Sequence, residues 1–151
     1  MKKLLSFIII LSLTLFPIDV SATTSSDEIE YLSNEDYIIF TIENKSTGSI
    51  QPYSKTVTKS KTGRYYHNNS VQWYVKVTGT FTYGLGTSKC ISSSVSAKSS
   101  ADGWKIVNSS ASKSKNTASA TATAKHYYNN SVIDTVTRTV KLTCSSTGKF
   151  S

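Results

Sequence analysis

Two segments of the chain hold both of its histidines and repeat nearly the same residues. The segments "YYHNNSV" (65–71) and "HYYNNSV" (126–132) each contain a tyrosine pair, a histidine, two asparagines, a serine and a valine. Histidine can act as a general base or a metal ligand. Tyrosines beside amides form an amphipathic surface suited to sugars, peptides or a protein partner. The repeat therefore indicates either duplicated recognition chemistry or two similar hairpins.

The residues that could support catalysis are few. A hydrolytic triad needs a nucleophile, a base and an orienting acid in contact, and the only histidine bases are His67 and His126. After residue 52 the only acids are Asp102 and Asp134, and Asp102 lies in an Asp-Gly turn. No G-x-S-x-G elbow, phosphate-binding glycine loop or zinc pattern occurs. We predict no enzymatic activity, cofactor or metal, with a small hydrolase as an unfavoured alternative.

Residues 1–22 form a predicted signal peptide. Lys2 and Lys3 precede a short apolar run, and Val20 and Ala22 place small residues at the −3 and −1 positions of a cleavage site. The run is shorter than the roughly 20 residues that a membrane-spanning helix needs. We therefore expect a secreted, extracellular mature chain with no transmembrane segment.

Charge divides the mature chain into two parts. Residues 23–52 contain six acids and one base, and form an acidic leader that could be flexible, a removable pro-segment, or a docked strand or helix. Residues 53–151 contain two acids and 14 bases. A basic surface attracts anions, and for an exported protein cell-wall polymers and lipid are nearer than nucleic acid, so no specific nucleic acid is expected. Alternatively, the scattered lysines only maintain solubility.

From residue 53 the apolar residues recur with a period of two, as in half-buried β-strands. In "VQWYVKVTGTFTY" (71–83) the aromatic and valine side chains share one face, and Gly79 is the expected bulge or bend. In "TASATATAK" (117–125) one face is all alanine, which suits bulky rings lying opposite. Arg138 interrupts an apolar face, so a bulge or an edge strand is expected there. These patterns predict an all-β, antiparallel, immunoglobulin-like β-sandwich of six to seven strands over residues 53–151.

The mature chain contains two cysteines, Cys90 and Cys144. In an oxidising compartment an even pair most often forms one disulfide. The bond would close a loop of about 55 residues and contribute roughly 4 kcal/mol in the chain-entropy model.

The repeated segments contain good hairpin tips, because asparagine tolerates the left-handed backbone that two-residue turns require. Residues 65–82 and 126–143 share eight identities in 18 positions. If the strands alternate up and down, both Asn-Asn turns and the "SSADG" turn (99–103) lie at one end of the sandwich. The candidate binding residues at that end are Tyr65, Tyr66, His67, Asp102, His126, Tyr127 and Tyr128.

Three segments, "GTFTYGLGTSKC" (79–90), "SASKSKNTASATATAK" (110–125) and "VKLTCSSTGKFS" (140–151), carry a family resemblance. They are similar to an uncharacterised family of small exported proteins of Gram-positive bacteria. The resemblance covers about residues 53–151. It implies export and a cysteine-paired β domain, and it implies no activity.

These observations favour an exported, non-enzymatic binding protein that acts at or near the bacterial cell surface. Candidate partners are anionic cell-wall polymers, glycans or a surface protein. The main alternative is a secreted antimicrobial or toxin-like effector that an acidic pro-segment keeps inactive.

Overall fold

The computed structural model describes residues 27–50 and 53–151, with backbone alone for 44–50. The predicted signal peptide, residues 1–22, lies outside the described residues. Within the described ranges every regular element is a β-strand, and no helix is long and apolar enough to span a membrane. The strands are β1 (Glu28–Tyr31), β2 (Asp36–Ile50), β3 (Lys55–His67), β4 (Ser70–Gly84), β5 (Thr87–Ser99), β6 (Trp104–Ser114), β7 (Thr117–Tyr128) and β8 (Ser131–Thr143).

The strands form two antiparallel sheets, which confirms the predicted all-β sandwich. One sheet has the order β1-β2-β3-β4-β5 and the other β6-β7-β8, so six strands fall within residues 53–151 as predicted. The order in each sheet follows the chain. The likeness to immunoglobulin domains therefore extends to the two layers and not to their Greek-key connections. Arg138 lies on β8, an edge strand, in agreement with its sequence context.

The core lies between the inner faces predicted from the two-residue period. On β4, Trp73 and Phe81 are fully buried, and the four alternate alanines of β7 are 0–1% exposed. A Cβ at Gly79 would lie 2.5 Å from the Phe81 ring and 2.8 Å from the Cβ of Ala118. Gly79 therefore makes room for this ring. The expected bulge at Gly79 is displaced, because pairing continues through Gly79 and the register with β5 shifts between Thr80 and Phe81.

The acidic leader contributes two strands to the larger sheet. β2 pairs with β3 from Asp36 opposite His67 to Ile50 opposite Lys55, with a register shift between Glu43 and Thr47. Ile38 is 2% exposed and belongs to the core. Of the three alternatives for this segment, the structure shows a strand that docks on the domain. Its removal as a pro-segment remains a prediction.

The predicted disulfide is wrong, because both cysteines are free and buried. The Cys90 Sγ contacts the carbonyl oxygen of Ser92 at 3.2 Å, and the Cys144 Sγ contacts that of Ser145 at 3.4 Å. Burial raises the pKa of both thiols, which favours the unreactive protonated form. An even cysteine count indicates that pairing is chemically allowed, but it does not by itself supply the specific geometry that a disulfide requires.

Strand alternation places four turns at one end of the sandwich, at residues 32–35, 68–69, 100–103 and 129–130. We call this the asparagine end. Both Asn-Asn tips adopt the left-handed conformation predicted for them, with φ angles between 47° and 63°. Hydrogen bonds join neighbouring segments at this end: the Asn68 N–H donates to the carbonyl of Glu35 at 3.0 Å, between two turns, and the Ser100 N–H donates to that of Gln72 on β4 at 2.8 Å.

Candidate functional site

The two repeats are similar in structure beyond their turns. The register of β3 with β4 shifts between Tyr65 and Tyr66, and that of β7 with β8 shifts between His126 and Tyr127. These positions are equivalent in the repeat alignment. A β-bulge redirects the side chains beside it, and bulges are enriched near functional sites. Each repeat is therefore a hairpin with an Asn-Asn tip and a bulge just before it.

The residues before the two bulges meet at the ring of Trp104. The Tyr65 ring lies 5.5 Å from it, centroid to centroid, at a tilt of 60°. The His126 ring stacks on it at 4.8 Å, nearly parallel at 8°. Aromatic rings at such distances attract one another beyond their burial of apolar area. Trp104 thus joins the two repeats.

The turn before Trp104 fits closely against the second repeat. The Tyr127 N–H donates to the carbonyl of Gly103 at 2.8 Å. Gly103 has a φ of +81°, and a Cβ there would lie 3.0 Å from the carbonyl oxygen of Tyr127 and 3.2 Å from the imidazole of His126. Glycine meets both the conformational and the steric requirement at this position. The Asp-Gly turn therefore fixes Trp104 against His126.

A cavity of about 140 Å³ lies where the repeats converge. Its lining combines aromatic rings with carboxylates, imidazoles and an amide, and it draws on both sheets. The lining residues are Asp36, Tyr65, His67, Gln72, Trp104, His126 and Asp134. Three of these, Tyr65, His67 and His126, are among the predicted site residues.

One wall of the cavity is a hydrogen-bonded group centred on Asp36. Its Oδ1 accepts from the Tyr65 hydroxyl at 2.8 Å and from the His67 Nδ1 at 2.9 Å, and its Oδ2 accepts from the Ser33 hydroxyl at 3.0 Å. Burial by itself raises the pKa of Asp36, but the hydrogen bonds from His67, Tyr65 and Ser33 outweigh it, so the pKa is lowered. Burial, together with the hydrogen bond to Asp36, raises the pKa of Tyr65 well above its ordinary value. Asp36 is therefore held as an anion and Tyr65 as a neutral phenol.

The second nitrogen of His67 also has a protein partner. The Asn68 amide nitrogen lies 3.1 Å from the Nε2 of His67. An amide nitrogen only donates, so Nε2 accepts and the imidazole proton lies on Nδ1, facing Asp36. In a hydrolytic triad the Nε2 would instead face the nucleophile. The Asp36–His67 pair is thus arranged to hold the cavity wall in place.

The opposite wall comes from the second repeat. His126 and Asp134 are direct partners across β7 and β8. Asp134 is exposed, and its Oδ1 accepts from the Thr135 N–H at 2.7 Å. Its other carboxylate oxygen can accept a hydrogen bond from a ligand. Gln72 donates from its amide nitrogen to the carbonyl of Ser70 at 2.9 Å, which leaves its amide oxygen available as a further acceptor.

The other four predicted site residues lie at the asparagine end but do not line the cavity. Tyr66 stacks on Tyr37 with ring centroids 4.8 Å apart. Tyr127 is half-buried, Tyr128 is 67% exposed, and Asp102 is exposed in the 100–103 turn. Of the two tyrosine pairs only Tyr65 lines the cavity. Both histidines and the aspartates Asp36 and Asp134 line it. A role in binding for these four residues remains a prediction.

Four cavity residues, Asp36, Gln72, Trp104 and Asp134, are absent from the set predicted from the sequence. Asp36 belongs to the acidic leader, whose docking on this end has no local signal in the sequence. Trp104 follows the "SSADG" turn directly, so the same strand alternation that groups the turns could have placed it here. Asp134 is the register partner of His126, which follows from pairing the strands of the second hairpin.

Within the part of the chain that the structure describes, no group of three or more histidine, cysteine or acidic side chains could hold a metal ion. No protein-family model matches the chain, and no curated protein or solved structure matches it.

Proposed function

We propose that this is an exported, non-enzymatic β-sandwich that binds a ligand at or near the bacterial cell surface. In this proposal the cavity at the asparagine end is the binding site. One observation carries it: both copies of the repeat converge, through Tyr65 and His126, on Trp104 at a polar cavity. A concave site with a few convergent polar groups is the usual form of a small-molecule site.

The cavity chemistry favours a glycan as the ligand. Asp134 presents a carboxylate oxygen and Gln72 an amide oxygen, while the Asp36 carboxylate is occupied by Tyr65, His67 and Ser33, so the lining supplies acceptors for sugar hydroxyls. A volume of about 140 Å³ is below the roughly 300–1,000 Å³ of pockets for drug-sized ligands. The cavity therefore suits one terminal sugar of a longer chain.

The charge of the whole chain supports a location at an anionic surface. The formal net charge is +8 for the full sequence, and +7 for residues 23–151, which hold 15 bases and eight acids. A charge of this size raises the local concentration of anionic polymers and speeds encounter with them, at a cost in salt sensitivity. In this proposal the basic surface supplies attraction, and the cavity supplies specificity.

Two observations favour this proposal over the alternatives. An effector activated by leader removal would lose Asp36 from the cavity and Ile38 from the core. A hydrolase that used His67 as its base would need the Nε2 of His67 for a nucleophile, and this atom accepts from Asn68.

The test is a glycan array probed with residues 23–151 and two matched variants. Asp134→Asn and Asp102→Asn each remove one exposed aspartate from the same end, but only Asp134 lines the cavity. We expect selective binding by the wild type, a loss of about tenfold or more for Asp134→Asn, and a clearly smaller loss for Asp102→Asn, because Asp102 lies outside the cavity. Equal effects of the two variants, or no selective binding, would contradict the proposal.

A further inference from the structure

The end of the sandwich opposite the cavity is rich in exposed lysines. It comprises residues 53–55, the turns at 85–86 and 115–116 with the strand ends beside them, and residues 143–151; we call it the lysine end. Its exposed lysines are Lys55, Lys89, Lys113, Lys115 and Lys149. The segments 53–55, 82–90, 113–117 and 143–151 contain no aspartate or glutamate. The nearby Asp27 and Glu28 line a groove with Lys61 and Lys141 that borders the lysine end at Thr143, Phe150 and Ser151.

The tip of the lysine end is apolar. Leu85 is 79% exposed and Tyr53 is 76% exposed, the highest values among the large hydrophobic side chains of the described residues. Leu85 also has a φ of 51°, in the left-handed region. A bulky residue is rare in this conformation, and both tips with this conformation at the asparagine end use asparagine. A leucine that is 79% exposed buries little apolar area in return for a strained backbone, which points to a role outside the core.

Clefts with lysines in their lining lie on both sides of the Leu85 turn. One, of about 720 Å³, lies between this turn and the 115–116 turn, and its lining includes Lys89, Lys113 and Lys115. The other, of about 320 Å³, includes Lys55. The Lys113 ammonium donates to the carbonyl of Ile91, which holds it at this end. An apolar tip is thus surrounded by positive charge.

We propose that the lysine end docks on an anionic phospholipid bilayer. Leu85 and Tyr53 enter the interface between headgroups and acyl chains, and the lysines contact headgroup phosphates from the flanking clefts. Apolar groups bordered by lysine form the usual interfacial arrangement, and each lysine near an anionic surface adds to the affinity. A soluble polyanion would require the lysines but not the leucine. The inference concerns the opposite end from the glycan cavity and does not depend on it.

The test is co-sedimentation of residues 23–151 with vesicles of phosphatidylglycerol and phosphatidylcholine, or of phosphatidylcholine alone. We expect stronger binding to the anionic vesicles, weakened by salt. Leu85→Asn should reduce the partition about tenfold, because it removes the inserted side chain. The same change suits the left-handed backbone, so the melting temperature should stay equal or rise by about 3 °C.

Charge-matched variants locate the binding surface. Lys113→Gln with Lys115→Gln removes two charges at the lysine end, and Lys98→Gln with Lys105→Gln removes two exposed charges elsewhere. The first pair should reduce the partition about twentyfold, and the second pair much less. If the Leu85→Asn variant bound vesicles as tightly as the wild type, binding would be purely electrostatic, and the bilayer proposal would be overturned. Equal losses for the two pairs, or no preference for anionic vesicles, would also overturn it.

Discussion

Tyr65 and His126 hold equivalent positions in the two repeats, and both contact the ring of Trp104. Each lies just before a β-bulge that precedes an Asn-Asn turn. The repeat therefore determines more than where the chain reverses. It brings a tyrosine from one hairpin and a histidine from the other to a single indole, beside a cavity with two carboxylates.

Stacking of the His126 ring on the Trp104 ring should stabilise the folded sandwich. His126→Ala is expected to lower the free energy of unfolding by about 1 kcal/mol, because it removes one aromatic partner. His126→Phe keeps a flat ring and should stay within about 0.5 kcal/mol of the wild type. Urea denaturation at neutral pH measures both. A phenylalanine variant as unstable as the alanine variant would show that stacking is not the contribution.

The Asp36 carboxylate should make the free energy of unfolding depend on pH in the acidic range. Hydrogen bonds from His67, Tyr65 and Ser33 outweigh burial and hold the folded-state pKa of Asp36 below its ordinary value, so its contribution is present above the ordinary pKa and is lost as pH falls through the folded value. Asp36→Asn should be less stable than the wild type by roughly 1–3 kcal/mol at pH 7. The difference should narrow as pH falls below about 3.9, where the unfolded chain takes up the proton, and should be smallest below the lowered folded-state pKa of Asp36. Denaturation curves at pH 7 and in acid provide the test, and a difference that stays constant with pH would contradict it.

The acidic leader should be required for folding. Ile38→Ala is expected to cost about 2–5 kcal/mol, because Ile38 is 2% exposed in the core. Residues 53–151 alone should lack a cooperative unfolding transition, since they lose β2 and expose the free edge of β3. Circular dichroism during thermal unfolding measures both. A stable, cooperative 53–151 fragment would instead support a removable pro-segment.

The close packing at Gly79 should exclude any side chain. Gly79→Ala is expected to cost about 1–3 kcal/mol, because the added methyl would lie 2.5 Å from the Phe81 ring. Gly86 offers a control, since a Cβ there has no neighbour within 4 Å, although its φ of +77° adds a backbone cost. Combining Gly79→Ala with Phe81→Leu should recover part of the loss. The absence of any recovery would mean that the ring is not the obstacle.

Much of the fold can be predicted from local patterns. The period of two assigns the inner faces of β4 and β7, because alternate side chains of a strand point to opposite faces. The Asn-Asn pairs fix two hairpin tips, because few residues tolerate a left-handed backbone. Strand alternation then groups those tips at one end, as the structure has them.

The cavity is harder to predict, because it depends on contacts between distant segments. Asp36 lies in a leader whose acidic composition resembles a flexible segment, and it reaches Tyr65 only through the pairing of β2 with β3. Trp104 is a large aromatic residue of the kind expected in a core, and it lines the cavity as well. The disulfide prediction rested on cysteine count and compartment, and both cysteines are free in the structure.

The most direct test of the binding site is chemical-shift mapping by NMR. Uniformly labelled protein, residues 23–151, is titrated with a glycan that binds on the array. The predicted result is that the largest shifts fall on the Trp104 indole and the His126 imidazole, with little change at Leu85. Shifts that centre on Leu85 and the lysine end, or that leave Trp104 unchanged, would contradict the account.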